Sequence, residues 1–119
     1  MSQSPTSQRP ERLRSRSDFS EVMRSGRRAR NRVLQLVALH TGAPSTRVGL
    51  SVGRQVGGAV VRNRLKRRLR MIIQGLSWQP GFDVVIVARA GAELESFEEI
   101  TREVATSAAK IHLLDGSPS

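Results

Sequence analysis

The sequence predicts a single mixed α/β domain, one sheet covered by helices. Three observations carry that expectation. The chain has 119 residues, enough for one domain with one modest core. Its hydrophobic period switches along the chain: residues 32–41, 46–54 and 82–89 are short and alternating or continuously apolar, whereas 58–76 and 96–113 repeat at helical spacing. Turn residues separate these stretches, with Gly42-Ala43-Pro44-Ser45 and Gln79-Pro80-Gly81 as the clearest cases. Read in order, the elements are α-β-β-α-β-α.

Residues 1–12 are rich in Ser, Gln, Pro and Arg without apolar periodicity, the signature of a disordered basic arm. The domain then runs over 13–114, and 115–119 (DGSPS) reads as a frayed tail. Asp18 followed by Glu21 forms a capping box for a short helix over 18–25, with Phe19, Val22 and Met23 on one face and Gly26 as its stop. The following run holds five Arg between positions 24 and 32 and reads as a charged loop. The stretches 32–41 and 46–54 read as an antiparallel hairpin across Gly42–Ser45. In the second, Val48, Leu50 and Val52 point inward, and Arg47, Gly49, Ser51 and Gly53 point outward. An outward face of Gly and Ser beside Arg either leaves room for a flat ligand or is a plain small-residue surface. The GRQVGG loop, 53–58, leads into the long helix. Its glycines free backbone N–H groups near a helix start, although the ending of a P-loop is missing. FDVVIVAR, 82–89, is apolar throughout and belongs in the middle of a sheet, and Ser96 with Glu99 caps a last helix reaching about Leu113.

The helix over 58–76 is where chemistry concentrates. Val61, Leu65, Leu69, Ile72, Ile73 and Leu76 form one apolar stripe. Asn63, Lys66, Arg67 and Arg70 fall opposite that stripe, and Arg64 and Arg68 lie on its shoulder. Arg62 falls on the stripe itself, which a charge tolerates only in the first turn or facing a groove. No acidic residue interrupts these cations. A solvated helix face normally mixes signs, because like charges at i, i+4 oppose the helix. A single-sign comb implies a polyanionic partner.

Whole-chain charge agrees. Net charge is +10, with +14 in residues 1–70 and −4 in 71–119. Eighteen of the twenty cations are Arg, whose planar fork suits phosphate and stacks on bases. Helix-turn-helix and zinc-site spacings are missing, and a basic helix beside an open sheet face suits single-stranded or irregular RNA better than a DNA duplex. No cysteine is present, so disulfides and thiolate metal sites are excluded. The longest apolar run, Val84–Ala88, is too short to span a bilayer, so no membrane partner is expected and the chain reads as cytoplasmic. Catalytic groups are not apparent. His40 and His112 are isolated, the glutamates from Glu93 to Glu103 sit at a helix start, and no serine stands in a nucleophile elbow. These residues describe an RNA- or DNA-binding protein without its own active site, with RNA modestly favoured.

RVGLSVGRQVGGAVVRNRLKRRLR, 47–70, closely resembles the signature of the bacterial ribonuclease P protein family. The resemblance extends to Phe19 in RSRSDFSEVMRSG, to Asn31-Arg32 and to FDVVIVAR, covering nearly all of 12–113. It implies an α/β sandwich in the order α-β-β-β-α-β-α, similar to a ribosomal-protein domain, with a left-handed β-α-β crossover and a short extra strand near Val56. It implies a non-catalytic protein subunit of an endoribonuclease, whose RNA subunit holds Mg²⁺ and removes the 5′ leader of precursor tRNA. On that basis Arg54, Arg62, Asn63, Arg64, Lys66, Arg67, Arg68 and Arg70 bind the catalytic RNA. Phe19, Met23, Arg32, Gln35, Val37 and Ser51 line the cleft for the precursor's leader. Gln55 stands where the family usually has a second basic residue after Arg54, and Met23 and Val37 stand at positions often aromatic.

Overall fold

The apolar stretch around Val84 lies at the centre of the sheet, as its composition demands. The computed structural model describes residues 10–114. The expectations for 1–9, as part of a basic arm, and for the tail 115–119 lie outside the described residues. The elements are β1 (Glu11–Arg12), α1 (Arg16–Ser25), β2 (Arg27–Arg30), β3 (Leu34–His40), β4 (Arg47–Ser51), α2 (Ala59–Gly75), β5 (Phe82–Ala88) and α3 (Phe97–Lys110), with a 3₁₀ turn at Ala92–Leu94 before α3. The strand order is β1-β4-β5-β3-β2. This is the single mixed α/β domain that the sequence predicts.

Several expectations need correction. β3 and β4 are not a hairpin. β5 lies between them, antiparallel to β3 and parallel to β4. The connection 41–46 joins them without pairing them, because the strand with the most continuous apolar run takes the doubly buried position. The arginine-rich run after α1 is not a loop: Arg27–Arg30 pairs antiparallel with β3 as an edge strand. Alternation explains it, since Ala29 turns into the core while Arg28 and Arg30 turn out. Val56, where the resemblance places an extra strand, lies in a turn closed by Val56 N–H to Gly53 O at 3.1 Å. The additional strands are β2 and the short β1, which takes residues 11 and 12 out of the expected disordered arm.

The capping boxes fare differently. Ser96 Oγ accepts from Glu99 N at 3.0 Å, as expected. The first helix is capped instead by Ser15, whose Oγ accepts from Asp18 N at 3.4 Å, so α1 starts at Arg16. Asp18 is thereby released to pair with Arg47 at 3.3 Å.

The two faces of the sheet are covered unequally. One face meets α2 and α3 around Leu34, Leu36, Val48, Val84 and Ile86 from the sheet, with Leu65, Leu69, Ile72, Ile100 and Val104 from the helices. Trp78 closes the far end of this core, fully buried, with Nε1 donating to Ile73 O at 2.9 Å. Among the described residues the other face meets α1 and the preceding Leu13, through a small cluster of Leu13, Val22, Val37 and Val85 flanked by Phe19, Met23, Leu39 and Val87. Among the described residues no helix is long and apolar enough to cross a membrane.

Candidate nucleic-acid interface

Two surfaces emerge from this architecture. The first is the outer face of α2. Leu65, Leu69, Ile72 and Ile73 are buried, so the stripe fixes the helix rotation and with it the direction of every cation. Asn63, Arg64 and Arg67 are exposed, and Lys66, Arg68 and Arg70 are half-buried along their stems. Arg62 occupies the first turn, where its Nε donates to Gly57 O at 3.2 Å, which resolves how a charge sits on the stripe. Arg54 is exposed in the turn before the helix. Among the described residues none of these cations forms a salt bridge; the ion pairs use Arg24, Arg32, Arg47 and Arg102 instead.

β1 adds to this surface two residues that sequence reasoning assigned only to a floppy arm. Burial, and then the like charges of Arg12 and Arg14, hold the Arg70 guanidinium below the usual arginine range. Arg12 and Arg70 also line one small cavity with Val48, Ile73 and Gln74. Only the pairing of Glu11 and Arg12 with β4 brings them there, and no local pattern in the sequence announces a two-residue strand.

The second surface is the part of the sheet that α1 leaves uncovered. Cross-strand pairing places Arg30, Gln35, Val87 and Ser51 in one row across four strands on the α1 side. Arg30 and Ser51 are exposed, and Gln35 and Val87 are half-buried. The neighbouring row, Arg28, Val37, Val85 and Gly49, lies under α1. A Cβ at Gly49 would collide with the Phe19 ring, so glycine at this position lets that ring approach the strand closely. Phe19 and Met23, half-buried on α1, pack on the cluster beside the Arg30–Ser51 row. Val37 is fully buried in that cluster.

Arg32 goes elsewhere. Its guanidinium reaches Glu95 at 2.8 Å and Glu99 at 3.2 Å, tying the β2–β3 connection to the start of α3. Arg30 and Val87 take places in the open row that sequence reasoning missed. Once β2 is recognised as a strand, alternation finds Arg30 directly. Asp83 accepts both Nε and Nη2 of Arg47 at 2.9 and 2.7 Å. With Asp18 on the same guanidinium, this pair ties α1 to the sheet.

The model of the ribonuclease P family matches residues 8–112. The chain belongs to the ribonuclease P protein family. A curated relative, the ribonuclease P protein component of Streptococcus pyogenes serotype M12 (strain MGAS2096), is 34% identical over 94 residues, covering 78% of this chain and 79% of that one. The RNase P protein from Thermotoga maritima superposes with a TM-score of 0.72 at 29% identity, over 81% of this chain and 93% of that one. That of Staphylococcus aureus reaches 0.79 at 20% identity, over 90% and 100%, a likeness of fold. The signature 47–70 spans β4, the turn at Arg54 and most of α2, and so joins the edge of the open row to the cationic helix.

Proposed function

We propose that this chain is the protein subunit of ribonuclease P and that its two surfaces hold two RNAs. The α2 face, with Arg54, Arg62, Asn63, Arg64, Lys66, Arg67, Arg68 and Arg70, binds the catalytic RNA subunit. The cleft between α1 and the sheet takes the single-stranded 5′ leader of precursor tRNA. Phe19 and Met23 offer faces for bases, Gln35 and Ser51 offer hydrogen bonds, and Arg30 offers a phosphate contact. Arg32 acts on the leader only if it leaves Glu95 and Glu99. Phosphodiester hydrolysis belongs to the RNA subunit and the Mg²⁺ it carries, and the protein positions the leader relative to that RNA.

The observation that carries this reading is the unpaired comb on α2. Several cations on one helix face, none of them in a salt bridge among the described residues, repel one another in the free protein, and a phosphate backbone relieves that repulsion. The test is cleavage of a 5′-extended precursor tRNA at low Mg²⁺ by the protein alone, by a bacterial ribonuclease P RNA alone, and by the mixture. Cleavage at the mature 5′ end only by the mixture is the expected result. No stimulation by such an RNA would return the chain to the purely structural RNA binders, and cleavage by the protein alone would require an active site in the chain itself.

A further inference from the structure

The turn at Ala92–Leu94 faces the α2 comb and has no role in either surface described so far. It is held rigidly. Gly91 adopts φ +98, a conformation that suits glycine, and Ala92 is buried in the main core. Backbone bonds Ala92 N to Arg89 O and Leu94 N to Gly91 O, both 3.0 Å, close the turn on itself. Glu93 is also engaged, its Oε1 accepting from Gly91 N at 3.1 Å. The result is that Leu94 stands 82% exposed, the most exposed large apolar side chain among the described residues. Between this turn and α2 runs a groove of about 260 Å³ lined by Val61, Leu65, Arg64, Arg68, Glu93 and Leu94.

We propose that this groove receives one unpaired nucleotide of the RNA bound by α2, with its base against Leu94 and Val61 and its flanking phosphates on Arg64 and Arg68. The proposal rests on the reading of α2 as an RNA-binding face. Its argument is charge and shape together. Arg64 and Arg68 lie one turn apart on the groove's rim and have no carboxylate partner among the described residues. A paired helix presents phosphates but keeps its base faces stacked inside, so it satisfies the arginines and leaves Leu94 in water. An unpaired nucleotide satisfies both. An amphipathic peptide helix fits less well, because it needs several apolar anchors in a row and the groove offers a single exposed one.

Leu94→Ala separates the apolar part of this site from the electrostatic part. Because Leu94 is solvent-exposed, the variant keeps the wild-type melting temperature. Affinity for a bacterial ribonuclease P RNA falls about tenfold, the scale of losing the apolar area an exposed leucine buries against a base. The slope of affinity against salt stays at the wild-type value, since every phosphate keeps its arginine. Unchanged affinity in Leu94→Ala, with wild-type binding intact, would overturn the groove while leaving the α2 reading in place. Failure of the wild-type chain to bind this RNA overturns both. As the chain has no cysteine, Leu94→Cys carries a unique thiol for a photo-crosslinker. Crosslinking to an unpaired nucleotide supports the proposal, and crosslinking confined to paired segments overturns it.

Discussion

The two long helices lie on the same face of the sheet and treat charge in opposite ways. α3 begins with Glu98 and Glu99 and ends with Lys110, the arrangement its own dipole favours. Its neighbours complete the pattern: Glu99 pairs with Arg32 and Arg102, and Glu95 with Arg32. α2 has no acid in its first turn, no base in its last, and an uncapped start at Gly58. Its cations run from Arg62 to Arg70 and none stands in the last turn, where a helix dipole would favour it. Both helices bury an apolar stripe well, so the difference is not in packing. A helix that balances its charges within the chain is serving the fold. One that leaves them unbalanced is shaped for something outside it.

The largest effect expected from this contrast is on RNA binding. Replacing Arg64, Arg67 and Arg68 together by Ala lowers the slope of log affinity against log salt for ribonuclease P RNA by roughly two to three, one for each phosphate no longer neutralised. The free protein's melting temperature holds or rises, because like-charge repulsion is removed. An unchanged slope would take α2 out of the interface. The buried side of the same helix should respond the other way: Leu69→Ala costs about 2–5 kcal/mol in urea denaturation. Phe19→Ala tests the separate cleft. It weakens binding of leader-bearing precursor to the complex while affinity for the ribonuclease P RNA stays at the wild-type value, and equal loss of both would make Phe19 simply a core residue.

On α3 the effects are small. Arg32→Ala removes an exposed pair of salt bridges, barely changes the melting temperature, and leaves the salt slope for ribonuclease P RNA unchanged. Glu103 gives the smallest effect and a useful sign. Burial first, then the neighbouring Glu99, raise its carboxyl above the usual glutamate range. A carboxyl whose folded value exceeds its unfolded value favours the fold only while protonated, so its charge weakens the fold once pH passes above that range. Glu103→Gln therefore gives a slight rise in melting temperature at pH 7 that vanishes below pH about 4, where both proteins are uncharged at this position. A fall at pH 7 would show that Arg32 and Arg102 outweigh Glu99.

Much of this was legible in the residues. The α2 stripe and comb follow from spacing alone, because a helix maps sequence onto its faces through a fixed angle. The central place of β5 follows from its unbroken apolar run. What sequence reasoning missed depends on partners distant along the chain. Nothing local to 34–51 reveals that a strand thirty-odd residues later separates β3 from β4. The strand character of Arg27–Arg30 is masked because three of its four side chains are charged, leaving Ala29 as the single inward signal. Asn31 shows the same dependence. Its Oδ1 accepts from Val33 N and Leu34 N at 2.8 and 2.9 Å while Nδ2 donates to Ser107 Oγ at 2.7 Å, so one side chain both turns the chain into β3 and fastens it to α3. Of the residues expected to line a leader cleft, Gln35 and Ser51 lie in the open row, Val37 is buried beneath α1, and Arg32 is held at the start of α3.

The late arrival of β5 has a consequence for how the molecule comes into being. β3 and β4 touch the sheet's centre only through a strand that begins at Phe82, so a growing chain cannot assemble its sheet until about three-quarters of it has been synthesised. Until then the arginine-rich helix exists without the strand that anchors it, beside an RNA-rich ribosome to which its charge is attracted. Sequence-distant pairing of this kind slows folding, because loop closure precedes any gain from contact. Chains ending before residue 82 should stay unfolded yet cling to RNA, whereas those extended past Ala88 gain the sheet in one step.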